Sequence, residues 1–171
     1  MIIRHGVLTE EVLHNCENFL EDSLEKNVWA VSELFWDDSL KVGDTGVVTM
    51  TDLEGDLKQS VLECLEHHVL PYQEADVQLY VWHKNSGISM HDDNGKNGCT
   101  IYLNKEWDIN WGGIFIWNDG EQLRALNPTY NMMVLNTENE DHMVTTVSPY
   151  ADDFRYSLQI WFTPVDEEET A

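Results

Sequence analysis

His91-Asp92-Asp93 is the segment of this 171-residue chain best equipped for chemistry. In extended backbone alternate side chains share a side, so His91 and Asp93 can approach one ion together. A third ligand must then come from a distant strand, and His142, at the start of the run Met143–Val147, is the candidate. Two imidazoles and a carboxylate on one face of an octahedral metal leave three positions open. Non-haem Fe(II) needs those openings to take oxygen together with a bidentate cosubstrate. An H-x-D pair alone is more often a surface turn than a ligand pair. The later His and an Arg beyond it make the pattern specific.

That Arg is Arg155, 13 residues after His142. A cosubstrate such as 2-oxoglutarate chelates iron through its 1-carboxylate and 2-keto oxygens. Its far carboxylate then needs a cation, and a bidentate guanidinium has the right shape. Arg155 opens the run Arg155–Phe162, in which Tyr156, Leu158, Ile160 and Phe162 form an apolar face suited to packing on helices. Arg155, Ser157, Gln159 and Trp161 share the other face, which fits a ligand-holding barrel lumen and fits a solvated surface equally well. A buried Arg without an anion is costly, so the lumen and ligand assignments support each other.

Two helix signals precede these residues. Thr9 is a plausible N-cap, and Val12, Leu13, Cys16, Phe19, Leu20 and Leu24 recur at helical spacing behind it. Thr51 with Glu54 reads as a capping box for a second helix, carrying Leu53, Leu57, Val61, Leu65 and Val69 on one face until Pro71 stops it. Val28–Val31 and Gly46–Met50 read as short strands flanking a loop, Ser32–Asp44. From Asp76 the pattern turns to short β runs: Val77–His83, Cys99–Leu103, Gly113–Trp117, Met132–Leu135, Met143–Val147 and Arg155–Phe162. Helices followed by strands predict an α+β, mainly β fold: a jelly-roll core buttressed by N-terminal helices. One domain is expected over 1–171. Residues 1–75 would give helical support with a strand-loop-strand lid, 76–165 the β core and 166–171 an acidic tail.

Composition narrows the partners. Nine basic against 32 acidic residues give 9 − 32 = −23. Such a surface repels phosphate backbones and anionic lipid, which disfavours nucleic-acid and membrane partners. No apolar run approaches the roughly 18–20 residues of a membrane span, and Met1–His5 lacks a signal peptide's apolar stretch. Cys16, Cys64 and Cys99 are odd in number and widely spaced, as reduced thiols of a cytoplasmic protein would be. A monomer is the expected state.

The segment GISMHDDNGKNGCTIYLNKEWDINWGGIFIW, followed by DHMVTTV and RYSLQIWF, resembles the 2-oxoglutarate- and Fe(II)-dependent dioxygenases. It is most similar to prolyl hydroxylases of the type that modifies hypoxia-inducible transcription factors. The resemblance runs from about Ser86 to Phe162 and implies a double-stranded β-helix. It implies His91, Asp93 and His142 as iron ligands, Arg155 as the 2-oxoglutarate anchor, and Tyr102 as a hydroxyl donor to the same carboxylate. Trp161 would stand near the substrate. Fe(II), 2-oxoglutarate and O2 are the implied reactants, with ascorbate as reductant and a prolyl residue of a protein or peptide as substrate. The acidic balance favours a neutral or basic peptide. The family often places a Tyr about ten residues before the first ligand His, where this chain has Val81 between Tyr80 and Trp82.

Leu34, Phe35 and Trp36 sit in a loop that would ordinarily be polar. Exposed aromatics there serve a ligand or partner, so Ser32–Asp44 is expected either to be a mobile lid, with Trp36 touching substrate, or to pack on the barrel. Two other functions remain open at this stage: the same chemistry on a free amino acid or small metabolite, and a non-catalytic cupin-like binding module.

Overall fold

A computed structural model describes residues 1–26, 32–34, 38–42 and 47–165. The expected strand at Val28–Val31, Trp36 and the acidic tail lie outside the described residues. Helix α1 spans Glu10–Glu25, and Thr9 caps it by accepting the Val12 amide at 3.3 Å. Helix α2 spans Gly55–Leu65. The strands are β1 (Ile2–His5), β2 (Ser32–Leu34), β3 (Val48–Asp52), β4 (Tyr72–Trp82), β5 (Ile88–His91), β6 (Asn97–Tyr102), β7 (Phe115–Asn118), β8 (Leu123–Leu126), β9 (Met132–Asn136), β10 (His142–Val144) and β11 (Arg155–Pro164).

Among the described residues the strands form two antiparallel sheets. The larger runs β1-β9-β6-β11-β4-β3-β2 and the smaller β5-β10-β7-β8. This is the expected double-stranded β-helix. Its period-2 alternation sorts the two cores. Leu79 and Val81 of β4, Ile101 of β6, and Leu158 and Ile160 of β11 pack with Val12, Leu13, Cys16, Leu20, Val61 and Leu65 of the helices. Residues one step out of phase, including Tyr80, Trp82, Tyr102, Phe115 and Val144, meet between the sheets. Leu65, Leu79 and Ile160 are wholly buried, each contributing about 1.5–3 kcal/mol relative to exposure. The helices thus brace one face of the large sheet and leave its other face to build a site.

Several local expectations differ from what is found. Thr51 caps no helix; it lies in β3 opposite Leu79, where the ladder uses its backbone, and Glu54 is the N-cap of α2 without a side-chain bond. The helix ends at Leu65, and a turn carries Val69, whose amide bonds Leu65 O at 3.2 Å. Leu24, in the last turn of α1, is 38% exposed. Ser32–Leu34, read as loop, is strand β2 paired with β3, and β4 starts at Tyr72, immediately after Pro71. Strands β1, β5 and β8 are four residues each, too short for alternation to announce them. The three cysteines are unpaired. Among the described residues no helix is long and apolar enough to cross a membrane.

Candidate active site

Strands β5 and β10 pair antiparallel with His91 directly opposite His142, which brings the two ring centroids to 4.5 Å. Strand β5 ends at His91, and Asp93, just before the Asn94-Gly95 turn, sets its Oδ1 3.4 Å from His142 Nε2. One donor atom from each of His91, Asp93 and His142 lies within 4.8 Å of the others. The far side of each group is tied down. His91 Nδ1 donates to Ser89 O at 2.7 Å and His142 Nδ1 to Glu140 O at 3.0 Å. A carbonyl only accepts, so each Nδ1 carries the proton and each Nε2 offers its lone pair inward. Phe115 stacks on His142 with centroids 5.4 Å apart, fixing its ring. Burial holds His91 below the usual imidazole range, which favours the neutral, ligating form. Burial also pushes the Asp93 carboxyl up, a cost that a cation between the three groups would reverse.

Arg155 stands at the start of β11, opposite Trp82, and is 1% exposed. Its guanidinium carbon lies 5.1 Å from the Trp82 ring centroid and 5.0 Å from that of Tyr102. Such cation–π contacts hold the charge without neutralising it. Arg155 Nε, Arg155 Nη1 and the Tyr102 hydroxyl are buried with no hydrogen-bond partner among the described residues. A buried donor left unmatched costs about 1–3 kcal/mol, more when charged. Three such atoms together match an acidic ligand group. Gly113 makes room for the arginine: its φ is +62°, and a Cβ there would lie 2.8 Å from Arg155 Cδ. Gly113 thus lets the two sheets approach closely, while Gly112 lies against the Thr146 backbone.

His91, Asp93, His142, Arg155 and Trp161 line a single cavity between the sheets, with Tyr80 and Trp82 in its wall. About 110 Å³ of it admits the centre of a water molecule, several times what one water needs. Val81, where the resemblance implies a Tyr, packs in the helical core, and its neighbours Tyr80 and Trp82 line the cavity instead. Thr100 Oγ1 donates to Gln159 Oε1 at 2.8 Å across the cavity floor. Trp107 is a packing residue, its Nε1 bonded to Gly112 O at 2.9 Å and its ring edge-on to Trp111. Sequence reasoning did not single out Asn136, Thr100, Tyr80 or Trp82 for the site. Only the strand phase set by Arg155 and Trp161 could have found Tyr80 and Trp82.

The donor set of two neutral imidazoles and a carboxylate suits Fe(II), and a guanidinium with two unmatched nitrogens suits a dicarboxylate. Comparison with known proteins agrees. The structure is similar to a prolyl hydroxylase from Trichoplax adhaerens, solved in complex with a hypoxia-inducible-factor oxygen degradation domain peptide fragment. The TM-score is 0.71 at 16% identity over 98% of this chain and 84% of that one. It is also similar to a Pseudomonas putida prolyl-4-hydroxylase, with TM-score 0.67 and 13% identity over 96% and 92% of the two chains. A viral collagen prolyl hydroxylase from Paramecium Bursaria Chlorella virus-1, solved with 2-oxoglutarate, gives TM-score 0.64 and 13% identity over 96% of each. No curated protein matches by sequence. The sequence pattern of the 2OG-Fe(II) oxygenase superfamily matches residues 68–163, from the turn after α2 through β11. More than half of the chain carries that pattern, and it folds accordingly: this chain belongs to the 2OG-Fe(II) oxygenase superfamily.

Proposed function

We propose that the chain hydroxylates a prolyl residue of a protein or peptide, consuming O2 and 2-oxoglutarate and releasing succinate and CO2. The observation that carries this reading is the pairing, in one cavity, of a His-Asp-His cluster with a buried guanidinium whose Nε and Nη1 have no hydrogen-bond partner among the described residues. In this reading His91 Nε2, Asp93 Oδ1 and His142 Nε2 hold Fe(II). Bound iron with 2-oxoglutarate supplies oxidative C–H hydroxylation; ascorbate serves as the reductant that keeps the iron ferrous. The chain's own residues bind and orient. Arg155 pairs with the far carboxylate of 2-oxoglutarate through two parallel N–H donors, and the Tyr102 hydroxyl donates to the same group. Trp82 and Tyr102 flank that guanidinium and exclude water from the pair, which strengthens it. Trp161 walls the substrate side of the cavity.

Prolyl specificity is supported by the three solved relatives, all prolyl hydroxylases, one of them holding a peptide. The net charge of −23 supports a neutral or basic peptide. Incubating the protein with Fe(II), 2-oxoglutarate, ascorbate and a panel of proline-containing peptides tests this, read by mass spectrometry. Neutral and basic peptides should gain the mass of one oxygen on proline, ahead of acidic ones. Oxygen transfer to free amino acids with none to any peptide would contradict the peptide reading.

A further inference from the structure

We infer that Asn136 holds Asp93 to a single donor oxygen, and so keeps a third coordination position open at the metal centre proposed above, on whose reading this rests. Asn136 ends β9 and is 3% exposed. Its amide orientation is fixed by backbone partners. Oδ1 accepts the Glu140 amide at 3.0 Å and Nδ2 donates to Glu140 O at 3.0 Å. A flipped amide would set like against like in both bonds. With the orientation fixed, Nδ2 donates its remaining proton to Asp93 Oδ2 at 3.3 Å.

Asp93 Oδ2 also lies beside Gly98. Gly98 pairs with Asn136 across β6 and β9, and a Cβ on Gly98 would sit 2.6 Å from Oδ2. Asp93 Oδ2 thus has an amide donor and a bare glycine backbone as neighbours, while Oδ1 faces His142 Nε2. A carboxylate free to rotate can bind a divalent ion through both oxygens and fill two positions. Here the second oxygen is engaged elsewhere.

The same connection steadies its neighbours. Asn139 Oδ1 accepts the amides of Asp93 and Gly95 at 3.2 and 3.1 Å, and Glu140 O receives His142 Nδ1. Asn139 holds backbone only, which makes it the contrast that separates a general brace from control of the carboxylate.

The probe is Mn(II), titrated into the whole chain and read by water-proton relaxation. The wild-type protein should bind Mn(II) with three exchangeable positions. Asn136→Ala should bind about 10- to 100-fold more weakly. At saturation its relaxation enhancement per bound ion should fall by about one third, as a bidentate Asp93 leaves two positions. Asn136→Ser keeps a hydroxyl for Glu140 but is too short for Asp93; it should behave alike and serves if the alanine variant does not fold. Asn139→Gly, which preserves the positive φ of 53°, should weaken binding without lowering the enhancement per ion. Unchanged enhancement per ion in both Asn136 variants overturns the inference whatever happens to affinity, as does an equal fall in Asn139→Gly. If wild-type protein binds no Mn(II), the metal reading fails and this inference with it.

Discussion

His91→Ala and His142→Ala each strip the protein of iron and abolish 2-oxoglutarate turnover while leaving the fold intact. A facial triad reduced to two ligands holds a divalent ion weakly, because the lost imidazole removes one of three protein bonds and the described cavity lining offers no other His, Cys or carboxylate. The fold does not depend on either ring. Both residues are partly exposed, and their backbone pairing within β5–β10–β7 survives truncation. Iron per chain after anaerobic reconstitution, succinate formation and the thermal midpoint of the metal-free protein are the three readouts. The first two should collapse and the third should move little. Near wild-type iron content in either variant would mean that the ligand assignment is wrong.

Arg155→Ala raises the 2-oxoglutarate requirement far more than it changes iron affinity. Truncating one partner of a buried, charge-assisted pair costs about 2–5 kcal/mol, which is about 30-fold to several-thousand-fold in affinity. Arg155→Lys recovers only part of the loss, since an ammonium is a point charge and cannot form the two parallel bonds. Tyr102→Phe shows a smaller effect of the same kind, removing one neutral donor and leaving the ring beside the guanidinium. The measurement is the 2-oxoglutarate concentration for half-maximal succinate production, beside Fe(II) affinity determined separately. An unchanged 2-oxoglutarate requirement in Arg155→Ala would remove this residue as the anchor.

The sequence carried the site better than it carried the elements around it. Arg155 and Trp161 share a face by strand period, whereas His91 and His142 meet through the β5–β10 register and Asp93 joins them from the residues just past β5. The 155–162 run has that alternation in unmistakable form: Tyr156, Leu158, Ile160 and Phe162 do pack with the helices, and Arg155, Gln159 and Trp161 do line the cavity. What was illegible depends on partners far away in the chain. Thr51-x-x-Glu54 satisfies a capping pattern locally, yet the β3–β4 ladder claims Thr51's backbone first. Asn136, in a stretch rich in Asn and Glu, carries no signal of its own. Its importance comes from lying opposite Gly98 in a register that only the folded sheet defines. Val81 shows the opposite case. The resemblance implies a Tyr at this position, and the pleat sends Val81 into the helical core while Tyr80 and Trp82 form the cavity wall.

The most direct test of the central claim, that one cavity joins an iron triad to a 2-oxoglutarate anchor, is an anaerobic absorption titration. Fe(II) alone and 2-oxoglutarate alone should leave the visible spectrum of the wild-type protein unchanged. Adding both should produce a weak metal-to-ligand charge-transfer band that saturates at one equivalent of iron per chain. The band should vanish in His142→Ala and require far more 2-oxoglutarate in Arg155→Ala. Absence of any band in the wild-type protein at saturating Fe(II) and 2-oxoglutarate, or a band indifferent to both substitutions, would contradict the account.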